Sequence, residues 1–225
     1  MAAARARVVA IDGPAGAGKS TVAAHLAKVF GLLNLETGAM YRALALKVQR
    51  LEIAADDAAA VSSVAEKTSI VLHPSDVGNT VALDGEDVTA LLRDPVITAM
   101  ASRVSVHSAV RTWMVAAQRA MALQSGRGVV MEGRDIGTAV FPDAVVKIFL
   151  DASPEMRGER RYSQSPVVPL EETVREIKER DDRDRSREVS PLRPAEDAVV
   201  VDTTAMSLAD VLVRAEEIVR RGLGL

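Results

Sequence analysis

The 225-residue sequence contains no cysteine, few aromatic residues and no long apolar run, and each absence excludes a class of protein. Without cysteine the chain can form neither a disulfide framework nor thiolate metal sites, which fits a reducing compartment. Aromatic residues make up only 3%, so alanine, valine and leucine must fill the core. No run of about 18 apolar residues occurs, so we expect no membrane partner and a cytoplasmic location.

Positive charge is not in excess either. The 28 lysine and arginine residues are outnumbered by 31 aspartate and glutamate residues, which gives a net charge of −3 at pH 7. This balance offers no general attraction to nucleic acid or anionic lipid, so we expect no nucleic-acid partner. The helical patterns show no exposed apolar stripe that would favour a dimer, so we expect a monomer.

Apolar, β-branched runs recur along the chain and alternate with helical patterns. Several runs lack the polar alternation of a half-buried strand, which predicts central strands of a parallel sheet. These runs are 7–11, 128–131, 145–150 and 198–201, and the segment LLNL at 32–35 is a further strand candidate. The helical patterns cover 19–30, 39–51, 106–123, 154–162, 170–187 and 207–221. The alternation predicts an α/β fold with helices on both faces of the sheet.

One stretch departs from this alternation. Residues 68–88 (TSIVLHPSDVGNTVALDGEDV) look like short strands joined by turns at 75–79 and 84–85. Antiparallel strands inside a parallel α/β chain predict an inserted β subdomain.

The first chemical signal is GPAGAGKS at residues 13–20, which matches the Walker A pattern G-x-x-x-x-G-K-[ST]. Glycines let backbone N–H groups turn inward around phosphate oxygens, and the following helix adds positive potential at its N-terminus. Lys19 can then reach the β- and γ-phosphates, and the Ser20 hydroxyl can bind Mg²⁺. The motif follows a predicted strand and opens a helical pattern, so we expect a nucleotide triphosphate to bind here.

Further polar residues indicate which kind of P-loop protein this is. The N-K-x-D motif of GTPases is absent, and arginines follow two predicted strands instead. Tyr41 and Arg42 lie one turn after the segment LLNL, where Thr37 can cap the helix; Arg134 and Asp135 end the third strand. Ligands of open α/β sheets collect at these strand ends, so the pattern favours a kinase that acts on a phosphorylated acceptor.

The segment ERDDRDRSRE at 179–188 is charged at nine of its ten positions. On a helix, Arg180, Asp184 and Arg187 fall on one side, next to an upstream apolar stripe. We interpret this side as a wall of the phosphoryl-transfer site. The other residues are expected to pair among themselves or face solvent; they are Asp181, Asp182, Arg183 and Arg185.

In order and spacing, four segments of the chain resemble the bacterial cytidylate kinase family. They are IDGPAGAGKST, ETGAMYR, EGRDIGTAVFPDAVVKIFLDAS and IKERDDRDRSR, and the resemblance covers about residues 7–221. It implies a three-layer α/β/α P-loop fold with five parallel strands, an inserted antiparallel β subdomain and a short helical lid. The implied domains are a core (1–36, 105–150 and 188–225), a nucleoside monophosphate (NMP) domain (37–104) and a lid (151–187).

The resemblance also implies a role for each site residue. ATP is expected to bind Gly13, Pro14, Ala15, Gly16, Ala17, Gly18, Lys19, Ser20 and Thr21. CMP is expected to bind Thr37, Tyr41, Arg42, Ser102, Arg111, Arg134, Asp135, Arg180 and Asp184. Catalytic charge is expected from Lys19, Arg134, Arg180 and Arg187 and, as a clamp on ATP within the lid, from Arg157 and Arg161. Glu36 and Thr37 stand where Asp-Ser often occurs in the family, and Glu132 replaces an aspartate.

The implied reaction is phosphoryl transfer from ATP to CMP, and also to dCMP, with Mg²⁺ as cofactor. Asp135 is chemically suited to read cytosine, because a carboxylate accepts a hydrogen bond from its exocyclic amino group and repels the oxygen of uracil. Two alternatives remain open: another small-molecule P-loop kinase, such as a different NMP kinase or a shikimate-type kinase, and a non-kinase P-loop ATPase.

Overall fold

The structure is a computed structural model that describes residues 7–75, 78–164, 166 and 168–225. Its strands are β1 (Val8–Asp12), β2 (Leu33–Glu36), β3 (Ile70–Ser75), β4 (Gly78–Leu83), β5 (Glu86–Asp87), β6 (Val129–Gly133), β7 (Val146–Asp151) and β8 (Val199–Asp202). Its α-helices are α1 (Lys19–Phe30), α2 (Thr37–Arg50), α3 (Ala58–Glu66), α4 (Pro95–Val104), α5 (Ser108–Gln124), α6 (Pro154–Gln164), α7 (Leu170–Ser186) and α8 (Leu208–Leu223). A 3-10 helix covers Thr89–Arg93, and a π-helical turn covers Ile136–Val140.

Strand β1 lies at the centre of a five-stranded parallel sheet with the order β2–β6–β1–β7–β8. Successive residues of β1 point into two separate apolar cores. Val8 and Ala10 join the core that α2 and α5 cover, whereas Val9 and Ile11 join the core that α1 and α8 cover. Both faces of the strand are therefore buried, which explains its unbroken apolar run. The predicted α/β/α fold is confirmed.

The prediction that residues 198–201 form a central strand is wrong. Strand β8 pairs with β7 at the edge of the sheet, and Val199 and Val200 are 37% and 56% exposed. An apolar run does not distinguish a buried strand from an edge strand that has one open side, because β-branched residues favour both.

The predicted antiparallel insertion is confirmed as a three-stranded sheet, β3–β4–β5, in which Ile70 lies opposite Leu83. Asp84 and Gly85 form the two-residue turn between β4 and β5, and both have positive φ angles (51° and 89°). This is the backbone that an Asp-Gly hairpin favours. The other predicted turn, at 75–79, includes residues 76 and 77, which lie outside the described residues.

Helices α3 and α4 were not predicted, and each begins at an aspartate cap. The carboxylate of Asp57 accepts a hydrogen bond from the Ala60 amide at 3.0 Å, and that of Asp94 accepts one from Val96 at 2.7 Å. Pro95 at the first position of α4 has the fixed φ that a helix start requires. Helix α4 packs against α2 and so carries Ser102 to the side of the sheet where α2 begins.

Helices α6 and α7 cover the region predicted to be the lid, and they pack closely on each other. A Cβ atom added to Gly158 of α6 would lie 2.4 Å from a methyl group of Val174 on α7. In the part of the chain that the structure describes, no helix is both long enough and apolar enough to cross a membrane.

Candidate active site

The loop between β1 and α1 is shaped by its glycines. Gly13, Gly16 and Gly18 have positive φ angles of 147°, 79° and 92°. A Cβ atom at Gly13 would lie 2.0 Å from the carbonyl oxygen of Leu150, so a larger residue cannot occupy this position without a shift of β7. The Lys19 ammonium donates to the Pro14 carbonyl at 2.6 Å, which holds the loop curled over the first turn of α1.

A cavity of about 920 Å³ opens over this loop, and we call it the donor cavity. One wall consists of residues 15–22, which include seven of the nine residues predicted to bind ATP; Gly13 and Pro14 shape the loop without lining the cavity. The opposite wall consists of Met156, Arg160 and Arg161 of α6 and of residues 203–208. Arg160 was not predicted, and it fixes this wall by donating to the hydroxyl and carbonyl oxygens of Thr203, at 3.0 and 2.7 Å.

A second cavity of about 220 Å³ adjoins the same loop, and we call it the acceptor cavity. All the residues predicted to bind CMP line it, namely Thr37, Tyr41, Arg42, Ser102, Arg111, Arg134, Asp135, Arg180 and Asp184. Lys19, Ser20 and Arg180 line both cavities. A donor phosphate and an acceptor phosphate bound in the two cavities would therefore meet at these three side chains.

A buried ion pair closes the deep end of the acceptor cavity. Arg111 donates to Asp135 and, at 3.2 Å, to the carbonyl oxygen of Ser105; the Arg111 and Asp135 side chains are only 2% and 7% exposed. The guanidinium carbon of Arg111 lies 5.7 Å from the centre of the Tyr41 ring. Burial raises the pKa of Tyr41 to about 12, so its hydroxyl stays protonated. The Ser102 hydroxyl oxygen nearby is buried and has no partner among the described residues.

The acceptor cavity also contains a cluster of arginines, of which Arg134 and Arg180 interact electrostatically with Lys19. Arg134 donates to Asp184 at 2.9 Å, and Arg187 lies 3.5 Å from the same carboxylate. Burial acts to raise the pKa of Asp184, but the arginines outweigh it and leave the pKa below its usual value. Nitrogen atoms of Arg180 and Arg187 are buried without a partner in the described parts of the chain. The one carboxylate does not satisfy three guanidinium groups, so the cluster is built to receive an anion.

Burial is also the largest influence on the pKa values of Arg180 and Lys19. It lowers the pKa of Arg180 to about 10, and the adjacent Arg134 adds to the effect. Burial and then Arg134 hold the pKa of Lys19 well below its usual value. Both shifts have the same physical cause, which is positive charge concentrated away from water; a bound phosphate would relieve it.

Glu132 at the end of β6 faces the donor loop. Its Oε2 accepts a hydrogen bond from the Ser20 hydroxyl at 3.0 Å, while its Oε1 is buried and has no partner within the described residues. Burial, and then the neighbouring Glu36 carboxylate, raise the pKa of Glu132 to about 7. Across the described ranges, no three His, Cys, Asp or Glu side chains cluster as a self-sufficient metal site.

Thr37 does not act as the predicted helix cap. Helix α2 begins at Thr37 itself, and the Thr37 hydroxyl instead donates to the carbonyl oxygen of Glu132 at 2.6 Å. This bond joins β6 to the start of α2. Strand β2, which leads into α2, also pairs directly with β6. Arg42, one turn further on, donates to Glu36.

Asp12, which sequence analysis missed, links the two cavities. It ends β1 immediately before Gly13, and its carboxylate accepts from the amides of Ile136 and Gly137 at 2.8 and 2.7 Å. These amides follow Asp135 directly, so one buried side chain joins the donor loop to the turn that presents Asp135. Burial raises the pKa of Asp12 to about 6. Its position at the end of a predicted strand, directly before the Walker A pattern, could have identified Asp12 from the sequence.

The two predicted lid arginines lie in different environments. Arg161 lines the donor cavity, whereas Arg157 is buried, lines neither cavity and is paired with Asp181. The prediction that Asp181 faces solvent or pairs within its own segment is therefore wrong; Asp182, Arg183 and Arg185 are exposed as expected. The α7 periodicity turns Asp181 and Asp184 inward together, and Arg187, which directly follows the helix, is buried beside them.

Comparison with known proteins identifies relatives of this chain. The family model described as cytidylate kinase matches residues 9–221. A cytidylate kinase from Geobacillus sp. (strain WCH70) is 47% identical over 220 residues, which is 96% of this chain and 97% of that protein. Another, from Pelotomaculum thermopropionicum, is 50% identical over 209 residues, or 91% and 92% of the two chains. The crystal structure of TT1252 from Thermus thermophilus shares the fold, with a TM-score of 0.51, 17% identity and coverage of 97% and 98%. The chain belongs to the cytidylate kinase family.

Proposed function

We propose that this protein transfers the γ-phosphoryl group of ATP to CMP, and to dCMP, and so forms ADP and CDP or dCDP. A bond forms between an acceptor phosphate oxygen and the γ-phosphorus, and the bond from that phosphorus to the β,γ-bridging oxygen breaks. The observation that carries the proposal is the meeting of the two cavities at Lys19, Ser20 and Arg180.

The reaction needs little from the protein beyond alignment and charge. The acceptor phosphate has a second pKa of roughly 6, so its oxygen is already ionised near neutral pH and no general base is required. Lys19, Arg134 and Arg180 supply positive charge where the phosphates meet. Their fixed, desolvated positions favour the transition state because they need not reorganise when charge develops.

We propose that Mg²⁺ accompanies ATP, held by the Ser20 hydroxyl, phosphate oxygens and water. The residues fit such an ion: the Ser20 hydroxyl lies 3.0 Å from Glu132, whose other carboxylate oxygen is buried and unpartnered among the described residues. When bound, Mg²⁺ neutralises negative charge on the β- and γ-phosphates. Glu132 can accept hydrogen bonds from water around the ion and hold the Ser20 hydroxyl in place.

We propose that the deep end of the acceptor cavity reads the base. Asp135 offers a carboxylate to the exocyclic amino group of cytosine, and Arg111 holds that carboxylate in place. The unpartnered Ser102 hydroxyl offers one further hydrogen bond. Uracil would put a carbonyl oxygen against the Asp135 carboxylate, leaving two buried acceptors facing each other.

The domain division, the oligomeric state and the cellular location are also proposals. We retain the division into a core (1–36, 105–150 and 188–225), an NMP domain (37–104) and a lid (151–187). We also propose that the enzyme is a monomer and that its partners are ATP and CMP. We place it in the cytoplasm, in line with its cysteine-free sequence.

An assay of ADP release tests the function directly. With ATP and Mg²⁺ present, CMP and dCMP should give rapid turnover, while UMP and AMP should give much lower kcat/KM. Preferred turnover of AMP, UMP or shikimate would identify a different small-molecule kinase. ADP release that does not depend on any acceptor would identify a non-kinase ATPase.

A further inference from the structure

The Arg157 side chain makes four hydrogen bonds, all to other groups of the protein, and Arg157 lines neither cavity. Its Nε donates to the carbonyl oxygen of Ala152 at 2.8 Å, and its Nη1 donates to that of Ala15 at 3.0 Å. Its Nη1 and Nη2 also donate to the two carboxylate oxygens of Asp181, at 3.2 and 2.5 Å. The side chains of Arg157 and Asp181 are 1% and 4% exposed, so this is a buried, bidentate ion pair.

The same side chain supports the donor loop from outside the cavity. A Cβ atom on Gly16 would lie 3.1 Å from the Cβ of Arg157 and 3.3 Å from its carbonyl oxygen. The loop therefore rests on the backbone of α6 at Gly16 and is hydrogen-bonded to Arg157 at Ala15. Ala15 and Gly16 both line the donor and acceptor cavities, so any shift of this contact moves the phosphate site.

Asp181 connects this support to α7. It lies next to Arg180, which lines both cavities, and one turn before Asp184, which pairs with Arg134. Holding Asp181 in place therefore fixes the position of Arg180 along and around the helix. A guanidinium fork is needed for this, because one side chain must reach Ala15, Ala152 and Asp181 together.

Resting on the kinase function proposed above, we propose that Arg157 and Asp181 are positioning residues that hold the donor loop and α7 in register. Arg180 then meets the phosphates that the loop binds. Neither Arg157 nor Asp181 contacts nucleotide. This assignment replaces the sequence-based expectation that Arg157 clamps ATP directly.

A buried ion pair allows stability and positioning to be separated. Removing one partner leaves a buried charge uncompensated, which destabilises a protein; replacing both partners with apolar residues removes that penalty. The variants R157M and D181L should therefore both unfold at lower temperature than the parent, and the double variant R157M/D181L should recover most of the loss. The double variant still lacks the bonds to Ala15 and Ala152, so its catalytic loss should persist.

The test measures the unfolding midpoint, kcat, and the Kd of ATP by calorimetry for the parent, both single variants and the double variant. We expect kcat of the double variant to stay about tenfold or more below the parent, because small misplacement of reacting groups is costly. We expect its Kd for ATP to rise several-fold, and R157K, which keeps the charge but loses the fork, to lose kcat while remaining folded. Recovery of kcat together with the unfolding midpoint in R157M/D181L, or parental kcat in R157K, would overturn the proposal.

A matched control lies on the same two helices. Lys178 of α7 pairs with Glu155 of α6 at 2.9 Å, but both side chains are more than half exposed. The variants K178M and E155Q should leave kcat and the Kd of ATP unchanged, and losses equal to those of R157M would also overturn the proposal. If the parent fails to phosphorylate CMP, the proposed function fails, whereas the Kd of ATP across the same variants still decides the positioning role.

Discussion

The loop that lines the donor cavity is one stretch of chain, whereas the acceptor cavity collects its side chains from distant segments. The loop at residues 13–20 turns on glycine backbone angles and ends at the N-terminus of α1. The acceptor cavity instead draws on α2, α4, α5, β6 and α7, and it includes the ion pairs Arg111–Asp135 and Arg134–Asp184.

The difference follows from what each ligand presents. Phosphate oxygens accept hydrogen bonds in many directions, so a curled backbone with one lysine can supply most of the donors, to which α6 and α7 add Arg161 and Arg180. A base must be read at particular atoms, which requires side chains fixed at particular points. The acceptor cavity meets that need with buried pairs such as Arg111 and Asp135, whose partners hold each other in place. The donor half should therefore be sensitive to one lysine, and the acceptor half to several positions.

Substitution of Lys19 should break the donor half most severely. Lys19→Met removes the one ammonium that both cavities share, so kcat should fall by about a thousandfold, or some 4 kcal/mol of transition-state stabilisation. The KM for CMP should change little, because the base and its phosphate retain their other partners. Steady-state kinetics with each substrate varied in turn measures both effects. Substantial residual kcat would remove Lys19 from the proposed chemistry.

Substitution of Asp135 should break the base-reading half while sparing the donor half. Asp135→Ala removes the carboxylate proposed to face cytosine, so the preference for CMP over UMP should fall by about a hundredfold. The KM for ATP should stay within a few-fold of the parent. Competition assays give the ratio of kcat/KM for the two nucleotides, and a thermal unfolding curve reports the separate cost of leaving Arg111 unpaired. An unchanged ratio in a folded variant contradicts the assignment.

Asp12 connects the donor loop to the turn that follows Asp135, and its titration should make the stability of the fold depend on pH. Its pKa of about 6 in the fold exceeds the usual value of 3.8, so the folded protein holds a proton that the unfolded chain releases between these two values. Stability is therefore lost as pH rises from about 4 to 6. Asp12→Asn cannot titrate, so the free energy of unfolding of the parent relative to the variant should fall over this range by some 2 to 3 kcal/mol.

Denaturant unfolding of the parent and Asp12→Asn, at matched pH values between 4 and 7, provides this difference. Groups that do not interact with Asp12 titrate equally in both proteins and cancel. A difference that stays constant with pH would show that the two amide hydrogen bonds balance the burial of the Asp12 carboxylate, and one that grows in favour of the parent as pH rises would show that they outweigh it.

The local features of the fold could be predicted from sequence, and the long-range ones could not. The donor loop and the antiparallel hairpin were predicted because their glycines and turn residues act on their own backbone. Edge strand β8 was taken for a central strand because its apolar run does not reveal how many neighbours it has. Helices α3 and α4 carry aspartate caps, at Asp57 and Asp94, that could have identified them.

The candidate site likewise depends on long-range contacts that residue spacing alone does not predict. The residues expected at the acceptor cavity came from the family resemblance, since nothing in the spacing brings Ser102 near Asp135. Asp12, Asp181 and Arg157 owe their environments to tertiary packing: each is buried against an element at least 20 residues away, as with Arg157 and Asp181, which are 24 positions apart. The sequence of a charge run such as 179–188 shows which residues share a helix face. It does not show which distant residues will pack against that face.

Ser102 offers the smallest and most selective effect. Its hydroxyl oxygen is buried without a partner among the described residues, so Ser102→Ala breaks no hydrogen bond recorded within the protein and should leave the free energy of unfolding within about 0.5 kcal/mol of the parent. If the hydroxyl binds the base, the KM for CMP should rise about fivefold, which corresponds to roughly 1 kcal/mol, while the KM for ATP stays the same. Kinetics and denaturant unfolding of the one variant separate these outcomes. A variant with lower stability and unchanged KM for CMP would assign Ser102 to packing, and would leave base recognition to the Arg111 and Asp135 pair alone.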